Sequence, residues 1–273
     1  MTKAEKTAGA SRGIQSLDAA LQMLQAMVKN HGPISLSELA RHCRMPPSKV
    51  HRYLTSFQHA GLVVQAGRSG KYDLGPGAVT LGLAALSRHD FVNRASEALP
   101  DLCAESGLTV LLSVWGNQGP TVIRWERASS PTVTSMGLGT TLPLISSATG
   151  RAFLAWAPPA PMQAMRDTEL RRARQKPAIA PDLTPSNEGL EKLLDDIRGR
   201  GYAWVDGKFI PGLVAIGAPI LDWQGEAQTI VTLIGTDPDI IQPESDAVRQ
   251  LTAFCKAQSF APIGPDANRR TAI

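Results

Sequence analysis

In the first quarter of the chain, most of the polar and charged side chains that could bind a partner lie on one short helical segment, residues 47–59. Val50 and Leu54 repeat at helical spacing with Tyr53 and Phe57 beside them, which predicts a buried stripe. Away from that stripe the segment carries hydroxyl, imidazole and cationic groups, namely Ser48, Lys49, His51, Arg52 and Thr55. Lysine and arginine bond phosphates and guanine edges, and hydroxyls bond phosphates or bases, which is the mixture that a helix in the major groove of DNA needs. For this helix alone, a solvated polar face is the favoured interpretation.

A β-hairpin is predicted directly after this helix. Leu62 to Val64 and Lys71 to Leu74 have strand character, and the glycine-bounded turn between them carries Arg68 at its tip. A hairpin in this position is a wing, whose Arg68 and Lys71 suit the DNA backbone or the neighbouring minor groove. Because a wing follows it, the polar helix is better interpreted as a DNA-binding helix than as a solvated surface helix.

Two further helices are predicted before the polar one. The first runs from Leu17 to Val28 with Ser16 as its N-cap. The second follows Ser35 and buries four small or apolar residues, Leu36, Leu39, Ala40 and Cys43. Pro47 suits the first position of the third helix. Three helices with a tight turn before the last one, followed by a hairpin, make a winged helix-turn-helix.

The charge of the chain is unevenly distributed. Residues 1–76 hold ten Lys and Arg against four Asp and Glu, a net charge of +6, and the remainder carries −2, which together give the +4 of the whole sequence. A small basic domain joined to a slightly acidic one indicates that only the first meets a polyanion.

Composition predicts an ordinary globular protein. The 273 residues are 43% hydrophobic and 19% charged, enough to bury two cores. The three cysteines, Cys43, Cys103 and Cys255, lack the spacing of a disulfide framework or a zinc site. No apolar run approaches the ~20 residues that span a bilayer, and residues 1–13 lack the apolar core of a signal peptide. We therefore expect a cytoplasmic protein without membrane contact, metal or cofactor.

The domain organisation follows from changes in pattern. Pro76 and Gly77 mark the boundary after the wing, and small residues on the next helix would let a second copy approach closely, so we expect that helix to contribute to a dimer contact. The expected parts are a flexible arm (1–13), a winged helix-turn-helix (14–76), a linker helix (77–90), a second domain (91–262) and a tail (263–273).

The second domain alternates between helical and strand patterns. Helices are expected from Phe91 to Ser106 and at 148–156, 162–174, 187–200 and 243–258. Strands are expected at 108–115 and 121–127, and again at 213–221 and 227–235, each pair forming a hairpin. Hairpins with helices packed alongside predict an α+β fold.

Three stretches together resemble one known family. They are the winged helix at 34–73, the motif GTTLPLISSATGRAFLA at 139–155, and GYAWVD at 201–206 followed by GLVAIGAP at 212–219. In this order they are similar to the isocitrate lyase regulator family, usually called IclR, over nearly all of residues 14–262. The resemblance implies a bacterial transcription regulator, either repressor or activator. It also implies a GAF- or profilin-like domain that binds small organic effectors, often carboxylates, and assembly as a homodimer or tetramer.

The resemblance also implies where an effector would bind. The pocket should lie between the loop 142–150 and the sheet, at Leu142, Ser146, Ser147, Ala148, Asp206, Ala215 and Thr232. Backbone amides at the start of the Ala148 helix favour an anion. An equally weighted alternative is that Ser146 and Ser147 only cap that helix. The sequence departs from the family at Arg44, where glycine is common, and at Gly207 and Lys208, where acidic residues are common; Lys208 would attract an anion or simply be solvated.

Two other classes of function stay open at this point. An enzyme would need a base, and all five histidines precede residue 90, which leaves Asp206 with Ser146 or Ser147 as the remaining catalytic set. An architectural DNA-binding protein would use the second domain only to oligomerise. We expect neither, and take the regulator of double-stranded operator DNA as the interpretation.

Overall fold

The computed structural model describes residues 14–30, 32–128, 137–207 and 210–260. The expected arm at 1–13 and tail at 263–273 lie outside the described residues, as does Lys208. Contacts divide the chain into two units, Met1–His89 and Asp90–Ile273. No helix among the described residues is long and apolar enough to cross a membrane.

The first unit is a winged helix-turn-helix followed by one more helix, as the sequence predicts. Its elements are α1 (Gln15–Lys29), α2 (Leu36–Cys43), α3 (Pro47–His59), β1 (Val63–Ala66), β2 (Lys71–Leu74) and α4 (Pro76–Ser87). One core holds it together, and Met23, Leu39, Val50 and Leu54 are fully buried there. Burial of these side chains stabilises the unit by roughly 1.5 to 3 kcal/mol each.

The turn between α2 and α3 has a left-handed residue at its corner. Ser35 begins α2 with a capping box, in which its hydroxyl accepts the Glu38 N–H while the Glu38 carboxylate accepts the Ser35 N–H. Arg44 ends the helix at φ 52° and ψ 44°. This is the conformation that glycine adopts most easily, so Arg44 keeps the turn geometry at a cost in backbone strain.

The N-terminal end of α1 differs from expectation. The helix starts at Gln15 with Ile14 as its N-cap and no side-chain cap, so the prediction of Ser16 as the cap was wrong. The residues expected at helical spacing were Leu17, Ala20, Leu21, Leu24, Met27 and Val28. Of these, Ala20 and Met27 are buried as expected, whereas Leu17, Leu21 and Val28 are 53%, 47% and 58% exposed. Met23 completes the buried stripe, because three-, four- and seven-residue spacing places it on one face with Ala20 and Met27.

Helix α4 begins one residue earlier and ends three residues earlier than the expected linker of 77–90. Its start packs against the turn after α3, where a Cβ on Gly75 or Gly77 would lie 2.5 or 2.7 Å from the Gly61 carbonyl oxygen. Three large apolar side chains of α4 are more than half exposed, those of Val79, Leu81 and Leu83.

The second unit is an antiparallel sheet with helices on both faces, which confirms the α+β class. The strands are β3 (Thr109–Gly116), β4 (Gly119–Glu126), β5 (Ala203–Asp206), β6 (Val214–Leu221) and β7 (Ala227–Gly235), in the order β4-β3-β7-β6-β5. Strand β5 is only four residues long. The sequence predicts Asp206 in the sheet but does not predict the bounds of its strand.

The helices are α5 (Phe91–Ser106), α6 (Ala148–Trp156), α7 (Gln163–Gln175), α8 (Asn187–Arg200) and α9 (Asp246–Gln258). Helices α5 and α9 cover one face of the sheet with a core around Leu99, Ile216 and Leu251. Helices α6 and α8 cover the other face, where Phe153 and Leu194 are buried. Helix α9 starts after Ser245, whose hydroxyl accepts the Val248 N–H, and not at Pro243 as expected.

Candidate DNA-binding surface and effector site

The polar face of α3 is open to solvent. Ser48, Lys49, His51 and Arg52 are exposed, and Thr55 is half-buried with its hydroxyl donating to the His51 carbonyl oxygen at 3.0 Å. The opposite face of the helix is anchored in the core described above. The fold therefore fixes the helix and leaves four of these side chains exposed on its outer face, with Thr55 half-buried beside them.

The cations of this face have no carboxylate partner among the described residues. Lys49 Nζ lies 5.7 Å from the centroid of the Tyr53 ring, and neither Lys49 nor Arg52 forms a salt bridge within the described part of the chain. Arginines of the second unit behave differently: Arg151, for example, pairs with Asp182. Unpaired cations on an anchored helix are available to phosphate or to base edges.

The wing is formed by β1 and β2, which pair in antiparallel register from Val63 with Leu74 to Ala66 with Lys71. The turn is closed by the Ser69 hydroxyl, which donates to the Ala66 carbonyl oxygen at 2.6 Å, and by Gly70 at φ 66°. Lys71 is exposed at the start of β2. The backbone of Arg68 lies in the turn, and its side chain is outside the described residues.

In the second unit, the loop before α6 is fixed by side chains from other elements. Glu169 of α7 accepts the N–H groups of Leu144 and Ile145, both at 2.9 Å. Burial raises the pKa of this carboxyl above its usual value, against the opposing effect of the two amide donors. The buried Arg151 donates to the Ile145 carbonyl oxygen at 2.7 Å and forms a bidentate pair with Asp182.

The two serines of the loop have different roles. Ser147 is the N-cap of α6: its hydroxyl accepts the Gly150 N–H at 2.9 Å and donates to the Pro143 carbonyl oxygen at 2.5 Å. The capping alternative therefore describes Ser147. The Ser146 side chain is nearly buried and has no hydrogen-bond partner in the described ranges, which leaves its hydroxyl available.

Strand register places the expected sheet residues beside this loop. Residues directly opposite in an antiparallel pair share a face; Leu111 is opposite both Trp125 and Thr232, and Thr232 is opposite Gly217. This row faces α6, because the Thr232 hydroxyl lies 2.8 Å from that of Thr149. A Cβ on Gly217 would lie 3.2 Å from the Ala148 backbone, so glycine there permits the close approach of α6.

Leu142 and Ala215 belong to the same region. Leu142 is buried with Leu111, and Ala215 packs against that cluster. The structure thus brings together Leu142, Ala148, Ala215 and Thr232, with Ser146 and Ser147 in the adjoining loop.

Asp206 does not join this group, and the expectation that it lines the same site is corrected. It lies opposite Val214, whose side chain packs into the core formed with α5 and α9, and it is exposed at the end of β5. Its neighbour Val205 lies opposite Ala215 and so occupies the position on the α6 side. The alternation of side chains along a strand decides between the two residues.

Among the residues that the structure describes, two polar atoms on the α6 side are buried and have no hydrogen-bond partner: Trp125 Nε1 and Ser113 Oγ. The guanidinium of Arg127 lies 5.8 Å from the centroid of the Trp125 ring. These residues were not predicted, because a tryptophan and a serine in a strand give no signal of an unpartnered group. Thr149 lay inside the quoted motif and was not separated from it.

Comparison with known proteins decides what kind of molecule carries this pair of sites. Residues 83–256 match the model of the bacterial transcriptional regulator IclR C-terminal domain, and residues 16–67 match that of the IclR helix-turn-helix domain. The chain belongs to the IclR family. The family model alone covers more than half of the sequence.

Individual members agree with the assignment. The transcriptional repressor IclR of Escherichia coli is 29% identical over 84% of this chain and 82% of its own length. The glycerol operon regulatory protein of Streptomyces coelicolor is 30% identical over 78% and 81%. The crystal structure of Pseudomonas aeruginosa HmgR superposes with a TM-score of 0.75 at 33% identity, covering 90% of this chain and 97% of that one.

This IclR-family chain is therefore a transcriptional regulator with a DNA-binding winged helix, and the domains and relatives it matches are regulators and not enzymes. The structure also does not bring together Asp206 and Ser147, as the catalytic alternative would require. Ser147 is engaged in capping α6, and Asp206 lies on the opposite side of the sheet from the loop.

Proposed function

We propose that this regulator binds a specific operator through α3 and the wing, and that a small organic effector, of the carboxylate class, bound in the second unit changes its affinity for DNA. Binding to one ligand would then alter affinity for the other by a reciprocal factor. The proposal of DNA binding rests on the exposed face of α3, where Lys49 and Arg52 form no salt bridge with another described residue. The helix itself is anchored in the core through Val50 and Leu54.

Arg52 is the side chain proposed to read bases, together with Ser48, His51 and Thr55, because these residues lie at or near the centre of the face opposite the buried stripe. Lys71 of the wing, with Arg68, is proposed to contact the backbone. Arg52→Ala should lower affinity for the operator by roughly 1 to 3 kcal/mol at fixed salt, the usual value of a good base contact.

The matched control is Lys192→Ala, which removes an exposed cation from α8 of the second unit. Both proteins are titrated at one salt concentration against the DNA upstream of the protein's own gene and against a scrambled duplex of equal length. If Arg52→Ala and Lys192→Ala bind the operator equally well, α3 does not read it.

The effector half is supported by groups that the protein itself leaves unsatisfied. The Ser146 hydroxyl has no hydrogen-bond partner within the described ranges. Trp125 Nε1 is buried and also lacks a partner there, and a buried donor without an acceptor costs about 1 to 3 kcal/mol. An effector oxygen would remove that cost. Arg127 forms no salt bridge with another described residue, and it places positive charge beside Trp125, which favours an anion.

Leu142, Ala215 and Thr232, with the backbone at Ser147 and Ala148, are proposed to line the apolar and polar walls of this site. The name of the glycerol operon regulatory protein indicates that a relative acts on genes for a small carbon compound. Because Arg127 places positive charge beside Trp125, small carboxylic acids such as acetate are the first probes, and each should be tested beside its neutral amide.

Trp125→Phe separates ligand contact from folding. Removing an unpartnered donor takes no hydrogen bond from the protein, so any fall in unfolding temperature reports only the packing lost with the smaller ring. Affinity for the acid that shifts DNA binding should fall roughly tenfold, the lower end for a hydrogen bond to a charged group. Trp223→Phe, at a 57% exposed position, is the control. Equal effector affinity in both variants would remove Trp125 from the site.

We also propose that the protein is at least a homodimer, with α4 in the contact. Val79 and Leu83 are exposed one turn apart on this helix, and Leu81 is exposed on its other side. Exposed apolar surface of this kind marks interaction sites. Sedimentation of Leu81→Asp should show smaller particles than wild type at equal concentration. Identical particles for both proteins would exclude α4 from the interface.

If the protein were instead an architectural DNA-binding protein, the titration against operator and scrambled DNA would give a different result. An architectural protein would bind operator and scrambled DNA alike, with strong dependence on salt and no response to any acid.

A further inference from the structure

A groove with a volume of about 610 Å³ runs between the start of α1 and one side of α3. Helix α1 contributes Gln15 and Ser16, and α3 contributes Ser48, Lys49 and Arg52. Tyr53 and Ser56 complete the lining, so every lining side chain carries a hydrogen-bond donor and none carries a carboxylate. The groove therefore has the chemistry of an anion site.

The donors of the groove are free to act on a ligand. Gln15, Ser16, Ser48 and the two cations make no side-chain hydrogen bond to another residue that the structure describes. Ser56 is different, because its hydroxyl donates to the Arg52 carbonyl oxygen at 3.2 Å. In the first turn of α1, the Leu17 and Asp18 N–H groups both bond the Ile14 carbonyl oxygen, and no side chain caps the helix.

The groove lies on the α1 side of α3, which separates two groups of residues on that helix. Lys49, Tyr53 and Ser56 follow three- and four-residue spacing and share the side next to α1. Arg52 and Ser48 lie at its margin, towards the centre of the exposed face. If the exposed face of α3 lies in the major groove of a DNA duplex, the sugar–phosphate backbone beside that groove would therefore lie along this groove of the protein.

We propose that this groove clamps one phosphate of the DNA backbone, with Lys49 as its charge and Gln15 and Ser16 as its second wall. The proposal rests on the proposed DNA binding by α3 and extends it to residues of α1. It also assigns Lys49 to positioning α3 on the duplex and leaves base reading to the residues at the centre of the exposed face.

The test uses one isosteric change at two positions of the same helix. Gln15→Glu places a carboxylate in the groove, whereas Gln22→Glu places it on an exposed part of α1 outside the groove. Both variants lower the net charge equally, so a general loss of attraction affects them alike. An acid in the first turn favours a helix, so Gln15→Glu should unfold at or above the wild-type temperature.

Affinities are measured for the DNA upstream of the protein's own gene and for a scrambled duplex, at several salt concentrations. Gln15→Glu should bind both duplexes roughly fivefold or more weakly than Gln22→Glu at low salt, with the ratio between the duplexes unchanged. Lys49→Gln should reduce the slope of log affinity against log salt by about 0.9, the value of one phosphate contact on duplex DNA.

Three outcomes would overturn the clamp: equal affinities of Gln15→Glu and Gln22→Glu, an unchanged salt slope in Lys49→Gln, or a loss confined to the operator duplex, which would make these residues base readers. Failure of the proposed function gives a different pattern. Wild-type protein would then bind both duplexes equally, while the slopes of the variants would still report on the clamp.

Discussion

Gly150 of the second unit has no room for a larger side chain. A Cβ at this position would lie 2.2 Å from the Pro143 carbonyl oxygen and 2.4 Å from Leu144 Cα, where ordinary contacts begin near 3.4 Å. Both neighbours are backbone atoms, so no side-chain rotation relieves the clash. Gly150→Ala must therefore displace the loop before α6 by about 1 Å.

The loop resists that displacement through the contacts already described. Moving it weakens the bonds from Leu144 and Ile145 to Glu169 and from Arg151 to the loop, each with a charged partner and each worth about 1.5 to 3 kcal/mol. Overpacking alone costs about 1 to 3 kcal/mol. We expect Gly150→Ala to lower the free energy of unfolding by about 3 to 5 kcal/mol.

Tryptophan fluorescence measures this change selectively, because all five tryptophans of the sequence lie after residue 90 and report on the second unit. At about 2 to 4 °C per kcal/mol for a unit of this size, the unfolding midpoint should fall by at least ~6 °C.

Gly199→Ala provides the control with the opposite sign. This residue lies in α8, and a Cβ there would meet nothing within 4 Å, so the variant should gain up to about 1 kcal/mol. If both variants unfold within about 2 °C of wild type, the loop is not held as we describe.

Three further outcomes are expected. Arg44→Gly should raise the stability of the first unit by under ~1 kcal/mol, measured by urea unfolding followed by circular dichroism, because glycine relieves the positive φ but loosens the unfolded chain; a large loss would show that the side chain holds the turn. Arg151→Met should destabilise the second unit by about 3 kcal/mol, since Asp182 and the Ile145 carbonyl oxygen lose their partner; an unchanged midpoint of tryptophan fluorescence would contradict this. Because the folded-state pKa of Glu169 is raised above 4.5, the folded state holds its proton more tightly than the unfolded chain, so this group's contribution to stability should fall as pH rises from about 4.5 through the raised pKa. Glu169→Gln should lack that part of the pH dependence in unfolding free energies measured between pH 4 and 8, and an identical profile would refute the assignment.

Long, strongly patterned elements were predictable from the sequence alone. The bounds of α5, α6 and α8 agree with expectation at both ends, because each has a clear apolar period and a residue that stops or caps it. Asp90, Ser147 and Ser186 accept a backbone N–H at the start of these three helices.

The predictions of buried residues and helix ends were wrong where the apolar periodicity of a segment fits two different residues equally well. In α1 the residues Leu21 and Met23 both fit an apolar helix, and only the packing of α2 and β2 selects the methionine. At α9, Pro243 and Ser245 are both acceptable starts, and the hydroxyl that reaches the Val248 N–H decides for Ser245.

The sites divide in the same way. The exposed face of α3 follows from helical spacing, so its residues could be named in advance. Asp206 could not be placed, because a shift of one residue in the register of β5 exchanges it with Val205. Gln15 lines a groove together with residues of α3, and Glu169 bonds the loop before α6. Both pairings join residues far apart in the sequence, so no local pattern predicts them.

The fixed loop before α6 also sets an expectation for time courses. Its backbone is held by two side chains of the protein itself, Glu169 and Arg151, so the effector binding proposed above would have little chain to order. Stopped-flow mixing should then give a single exponential whose rate rises linearly with effector concentration, without the plateau that a slow preceding rearrangement imposes.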